Sequence, residues 1–234
     1  MDLTIVTSMG IDALVFDVLG TLVDEPAGLR AAIGAPAPRA DPDELVALWQ
    51  GHIETEQRRI VAGDRPFAAS DVLDREAARL VAEASRGELS QKDREALATA
   101  GQRLPPWPDT VEGLARLAEH HPLIGLSNAC RSTLLRINAN AGLRWHQALS
   151  AEEARTYKPD PAVYELAVKV SGAPPDRLLM VAAHAWDLRG AQRVGLRTAY
   201  VARPVGDPPS PADHFDFHAE NLLDLAAQLG ERGR

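Results

Sequence analysis

Ile11-Asp12-Ala13-Leu14-Val15-Phe16-Asp17-Val18-Leu19-Gly20-Thr21-Leu22 is the stretch on which the fold reading turns. Its apolar opening is short and closes on a carboxylate and a Gly-Thr turn, the pattern of a fully buried strand. Three more runs have the same form. Leu123-Ile124-Gly125-Leu126 ends at Ser127-Asn128, Leu178-Leu179-Met180-Val181 ends at Ala182-Ala183-His184, and Thr198-Ala199-Tyr200-Val201 follows. Helical periodicity fills the intervals, at Thr110–His120, Ser132–Ala141, Pro161–Val170 and Trp186–Val194. Strands that alternate with helices predict an α/β fold, a Rossmann-like parallel sheet with helices on both faces. Ligands of such sheets sit beyond the carboxyl ends of the strands. Asp17, Ser127, Asn128 and His184 all fall there.

Between Glu25 and Pro106 the alternation stops, and the pattern is helical throughout. Leu45, Leu48, Trp49, His52 and Ile53 share one helical face, and Val72, Leu73, Glu76, Ala77 and Leu80 suggest another helix. Asp41-Pro42-Asp43-Glu44 is a helix start with proline in the first turn. Leu104-Pro105-Pro106-Trp107-Pro108 is a stiff exit. The expected organisation is a core of residues 9–25 and 107–234 with a helical cap inserted at 26–106. Pro204 to Pro211 reads as a surface loop, and Ala219 to Leu229 as a last helix against the sheet edge.

Composition narrows the functional classes. The chain has 234 residues, 45% of them hydrophobic and 25% charged, as in an ordinary globular protein with a large core. A formal charge of -8 disfavours nucleic acid as a partner, because phosphate binding needs a basic face. A single cysteine, Cys130, allows no intrachain disulfide and reads as a buried thiol. No apolar run reaches the ~18–20 residues of a membrane span, and the opening MDLTIVTSMG lacks the features of a secretory signal. The expectation is a cytoplasmic enzyme with no membrane partner, and Met9 is an alternative start.

Asp17, at the end of a buried strand, can serve as a nucleophile. Gly20 permits a tight turn, and Thr21 can hold a carboxylate oxygen. Lys158, in Tyr157-Lys158-Pro159-Asp160-Pro161, can keep Asp17 ionised, and Asp187 follows the third strand. In this order and with this strand placement, the four segments Asp17–Thr21, Leu126-Ser127-Asn128, Lys158-Pro159 and Asp187 resemble the haloacid dehalogenase superfamily. The helical insertion matches the position of that family's cap.

Two departures select a branch. The superfamily's magnesium phosphatases carry a second Asp two residues after the nucleophile, where this chain has Leu19. They also carry a Gly-Asp pair after the third strand, where this chain has Ala182-Ala183. Leucine cannot transfer a proton, and magnesium needs hard oxygen ligands. The chain is instead similar to the metal-free type II 2-haloacid dehalogenases. Lys158 to Ala167 follows that branch's Lys-Pro-Asp-x-x-Val-Tyr-Glu-Leu-Ala pattern, with Tyr164 as its tyrosine, and Ala185-Trp186-Asp187 matches its fourth motif.

The resemblance implies that Asp17 displaces halide from a small 2-haloacid, without cofactor or metal, and that water held by Asp187 and Lys158 then opens the ester. It implies a substrate-carboxylate site at Ser127 and the backbone of Val18 and Leu19, a halide site at Asn128 and the cap, and apolar walls at Trp186 and Phe67. Tyr164 and His184 are further candidates for substrate contact. Many such enzymes are homodimers, which makes a homodimer an expectation here. The branch places an arginine directly after a cap tryptophan, but Trp49 is followed by Gln50. Gln50 therefore takes the substrate position, with Arg58, Arg59 and Arg65 the other cap cations available. Two other readings stay open at this point, a phosphatase with an unusual metal site and a non-catalytic anion- or partner-binding protein.

Overall fold

A computed structural model describes residues 10–37, 39–85 and 89–232. Met9 and the chain start lie outside the described residues. The elements run β1 (Ala13–Phe16), α1 (Glu25–Gly34), α2 (Pro42–Val61), α3 (Ser70–Ala84), α4 (Gln91–Leu97), α5 (Thr110–Ala118), β2 (Leu123–Ser127), α6 (Arg131–Asn140), β3 (Gln147–Ser150), α7 (Pro161–Ser171), β4 (Leu178–Ala182), α8 (Ala185–Val194), β5 (Arg197–Val201), β6 (Phe217–Ala219) and α9 (Leu222–Arg232). Short 3-10 turns sit at Ala100–Arg103, Ala151–Ala154 and Pro175–Arg177.

The strands form one sheet in the order β3-β2-β1-β4-β5-β6, every pair parallel. Central β1 is buried on both sides, and its side chains alternate between two cores. Leu14 and Phe16 pack with Leu123, Leu179 and Val181 on one face. Ala13 and Val15 pack with Ile124, Leu126, Leu178 and Met180 on the other. From β1 the sheet grows outward through β2 on one side and β4 on the other. Diverging connections of this kind open a crevice at the carboxyl end of the central strand.

A third apolar cluster belongs to the inserted helices. Leu29, Ile33, Leu45, Val46, Trp49, Ala77 and Val81 pack together, away from the sheet cores. Helix α2 starts as its sequence suggests, with the Asp41 side chain accepting from the Asp43 N–H at 2.9 Å and Pro42 in the first turn. Leu45 and Trp49 face inward, whereas Leu48, read onto the same face, is 37% exposed and points to solvent. Its position is three residues from Leu45 but one from Trp49, so it falls at the edge of the stripe.

Two strands escape the sequence reading. In β3, only Leu149 is a large apolar residue and Gln147 is exposed. Edge strand β6 has three residues. The last helix begins at Leu222 rather than Ala219, because Ala219 pairs with Val201 in the sheet. Helix α9 packs on α5, where a Cβ on Gly113 would collide with Leu222. Among the described residues, no helix is long and apolar enough to cross a membrane.

Candidate active site

Asp17 leaves the end of β1 with its N–H donating to the Val181 carbonyl at 3.0 Å, which ties it to neighbouring β4. The chain then turns at Gly20, whose φ of +76° is left-handed, and a Cβ there would lie 2.6 Å from His184 Nε2. Glycine is needed on both counts. The turn points Thr21 back, so that its hydroxyl donates to Asp17 Oδ2 at 2.7 Å and accepts from the Ala183 N–H at 2.9 Å. From outside the loop, Trp107 Nε1 donates to the Gly20 carbonyl at 3.0 Å and Thr110 Oγ1 to the Leu22 carbonyl at 2.8 Å. The carboxylate thus sits on a braced loop.

Lys158 comes from the segment preceding α7. Its ammonium donates to Asp17 Oδ1 at 3.0 Å and to Asp187 Oδ2 at 2.8 Å. All three side chains are buried. Burial alone would lower the lysine's pKa, but the two carboxylates outweigh it and hold the ammonium above its usual range. Asp187, in the first turn of α8, is completed by the Tyr164 hydroxyl, which donates to Oδ1 at 2.6 Å. Burial, and then the Asp187 charge, push the Tyr164 phenol upward and keep it protonated as a donor. Two carboxylates and one ammonium leave the cluster with one net negative charge.

A chamber of about 210 Å³ opens over Asp17, between the core and α2. Leu19, Asn128, His184 and Trp186 line it from the core, and Trp49, Gln50 and Ile53 from the cap. It shares part of its wall with a wider cleft of about 1120 Å³. Asn128 links the layers: its carbonyl accepts the Lys158 N–H at 3.0 Å, and its amide donates to Gln57 Oε1 on α2 at 3.0 Å. His184 Nε2 lies 3.3 Å from the Leu19 carbonyl and 4.0 Å from Asp17 Oδ2. The His184 and Trp186 rings pack at 5.8 Å.

Most of the expected site residues converge here, with some reassigned places. Tyr164 is wholly buried behind Asp187, so its hydroxyl touches Asp187 rather than the chamber. Phe67 packs against Tyr157 at 5.7 Å as part of the core, away from the chamber wall. Ser127 is fully buried, with its hydroxyl accepting the Ala129 N–H at 3.1 Å, and the Val18 side chain belongs to the sheet core. The cap cations are engaged elsewhere: Arg65 with Glu56 and Glu76, Arg59 with Glu56, and Arg58 with Glu54 at 3.6 Å. None takes the position at Gln50.

Three wall residues escaped the sequence reading. Glu54 and Gln57 stand four and seven residues beyond Gln50, one helical face that the spacing could have revealed. Glu25, the first residue of α1, also lines the chamber, and nothing in its local sequence marks it. Burial raises its carboxyl pKa and the Asp17 charge adds to this, while His184 and the Gln50 amide act in the opposite sense.

Comparison with known proteins settles the family. A model of haloacid dehalogenase-like hydrolases matches residues 11–195. The chain belongs to the haloacid dehalogenase-like hydrolases. It lies in their 2-haloacid dehalogenase branch. It is 32% identical over 196 residues to the (S)-2-haloacid dehalogenase of Xanthobacter autotrophicus, covering 82% of this chain and 76% of that one. The (S)-2-haloacid dehalogenase of Pseudomonas putida is 28% identical over 200 residues, covering 84% and 86%. A solved L-2-haloacid dehalogenase superposes with a TM-score of 0.87 at 33% identity, covering 95% of this chain and all of that one. The Xanthobacter autotrophicus enzyme with chloropropionic acid covalently bound superposes at 0.81 with 26% identity, covering 94% and 98%.

Leu19 and Ala183 stand where the metal-dependent members place carboxylates, and both oxygens of Asp17 are engaged by Thr21 and Lys158. Among the described residues, no group of three His, Cys, Asp or Glu side chains is arranged to hold a metal ion.

Proposed function

We propose that the protein hydrolyses small 2-haloacids to 2-hydroxyacids through an ester on Asp17. The observation that carries this reading is the Asp17–Lys158–Asp187 cluster beneath a small chamber, with a hydrophobic side chain at position 19. The Lys158 ammonium donates to Asp17 Oδ1 at 3.0 Å, which aims and balances the carboxylate that serves as nucleophile. Leu19 itself offers no general acid at the position from which phosphoryl chemistry of this superfamily would protonate the leaving group.

In the first step a carboxylate oxygen of Asp17 forms a bond to C2 of the substrate. The carbon–halogen bond breaks, the electron pair leaves with the halide, and C2 inverts. In the second step water attacks Cγ of Asp17. The bond from Cγ to the ester oxygen breaks, the oxygen departs on C2 and takes a proton, and Asp17 is restored. The overall change consumes one water and releases one halide and one proton. Asp187 and Lys158 hold that water beside Cγ, and Tyr164 fixes Asp187. Asn128 and Gln57 face the leaving halide, while Trp49, Ile53 and Trp186 keep bulk water out of the chamber. The segment 26–106 acts as a cap over a core formed by the flanking residues. The working unit is a homodimer, as the family resemblance implies, acting in the cytoplasm on a small acid and on neither nucleic acid nor membrane.

The test is halide release from 2-chloropropionate and chloroacetate with EDTA present. Wild type should release halide and Asp17→Asn should be slower by about 10³-fold or more. A single turnover in H₂¹⁸O should leave the label in Asp17. Halide release by Asp17→Asn at the wild-type rate, or label found only in product, would refute the mechanism.

A further inference from the structure

In the proposed reaction the charge of Asp17 passes to the halogen as the ester forms, so the chamber must hold a halide ion. Its wall contains no lysine or arginine. Lys158 is committed to Asp17 and Asp187, and Arg30 and Arg58 of the wider cleft are paired with Asp43 and Glu54. The ion must therefore be held by neutral donors. Three carboxamides border the chamber, those of Gln50, Gln57 and Asn128. Gln50, at the place of the branch's cap arginine, hydrogen-bonds the Glu25 carboxyl. Asn128 and Gln57 form the remaining pair.

A single backbone group forces the orientation of that pair. The Lys158 N–H can only donate, so Asn128 must present Oδ1 to it, at 3.0 Å. Asn128 Nδ2 then meets Gln57 at 3.0 Å and can only donate, so Gln57 must accept through Oε1. Reversing either amide would set donor against donor. The three groups align head to tail, and each polarises the next. At the end of the row Gln57 is left with Nε2 and its two N–H bonds. Among the described residues Nε2 has no protein partner, and no enclosed side-chain polar atom lacks one. This nitrogen therefore opens into the space that Gln57 borders, the chamber and the wider cleft.

We propose that Gln57 is the cap's donor to the departing halide and a determinant of leaving-group specificity: with Oε1 held by Asn128, it offers Nε2 to the halogen as the carbon–halogen bond breaks. The inference rests on the haloacid reading for its ligand. Gln57 lies seven residues beyond Gln50, about two turns and about 10 Å along α2, so the donor reaches the chamber from a different part of the cap helix than the branch's arginine would. A neutral amide stabilises an anion less than a guanidinium does. The chamber accordingly favours halogens that depart with little help, bromide over chloride, and the margin widens when the Gln57 donor is removed.

The test compares kcat/KM for 2-chloropropionate and 2-bromopropionate, because this ratio reports the step in which halide leaves. Gln57→Met keeps the size of the side chain and removes both donor and acceptor. Gln57→Glu keeps an acceptor for Asn128 and removes the donor, and it carries the test if the methionine variant folds poorly. Gln57→Met should lose about 10- to 100-fold on the chloro substrate, the worth of a hydrogen bond to an ion, and a smaller factor on the bromo substrate. Gln57→Glu should lose at least as much, although Asn128 stays held. A second probe needs no turnover: chloride itself, followed by broadening of its ³⁵Cl resonance. In Asp17→Asn the site carries the charge of the ester state, and this variant should broaden the resonance more than Asp17→Asn combined with Gln57→Met.

Equal losses on the chloro and bromo substrates would overturn the proposal, as would wild-type kcat/KM in Gln57→Glu. Chloride broadening that is the same with and without the Gln57 donor would overturn it too. No halide release by wild type, together with chloride broadening that Gln57→Met removes, would count against the haloacid reaction alone and leave the halide site standing.

Discussion

Replacing Lys158 by methionine removes the ammonium that bridges Asp17 and Asp187. The lysine side chain is 1% exposed, and its partners are 9% and 0% exposed. Two unit charges about 4 Å apart interact by about 4 kcal/mol at an effective dielectric near 20. Removing one partner of a buried pair costs about 3–5 kcal/mol, because the remaining charge stays desolvated. Against a typical domain stability of about 5–15 kcal/mol, Lys158→Met should fold marginally at neutral pH.

The sign of the pH dependence follows from the two stranded carboxylates. Without the ammonium, burial and mutual repulsion raise their folded pKa values above the unfolded ones. The stability of their protonated form is fully present at low pH and is lost as pH rises through the folded values. Urea unfolding near pH 5 and near pH 8 measures this, for wild type, Lys158→Met, Asp187→Asn and the double variant. The loss in Lys158→Met should be greater at the higher pH. The double variant should recover about 1–3 kcal/mol relative to Lys158→Met, as coupled neighbours do. Equal losses at both pH values, or additivity of the two substitutions within about 0.5 kcal/mol, would refute the view of the cluster as one charge-balanced unit.

Two further substitutions probe the support of Asp17. Tyr164→Phe removes the 2.6 Å hydrogen bond to Asp187, and steady-state kinetics should show kcat lower by about 10-fold with KM little changed, given about 1.5 kcal/mol for a charged hydrogen bond. An unchanged kcat would mean that Asp187 is held without it. Gly20→Ala puts a Cβ 2.6 Å from His184 Nε2 at a residue with φ of +76°, so thermal unfolding should show a loss of about 1–2 kcal/mol or more and halide release should fall with it. Wild-type stability and rate in that variant would show that the turn relaxes freely.

Much of this molecule was legible in the chain because its signals are local. A buried parallel strand is a continuous apolar run, so β1, β2, β4 and β5 stood out within one residue or two of their bounds. Edge strands β3 and β6 gain their conformation from pairing with β2 and β5, and their own residues carry little of it. The motif residues Asp17, Thr21, Lys158 and Asp187 were picked out by the family motifs that carry them, and folding brings their side chains into one hydrogen-bonded cluster.

Tertiary structure decided the partners. Gln57 reaches Asn128 across 71 positions, and Trp107 braces Gly20 across 87. Tyr164 moved from the substrate's side of the site to the support of Asp187, and Phe67 from pocket wall to core. Glu25 came beside Gln50 in the chamber wall only when α1 and α2 packed together. The sequence by itself determined the four central strands and the helices between them, because hydrophobic periodicity and turn chemistry act over a few residues. It could not determine which charges share an enclosed chamber, because electrostatic strength depends on distance and desolvation, and both are properties of the packed chain.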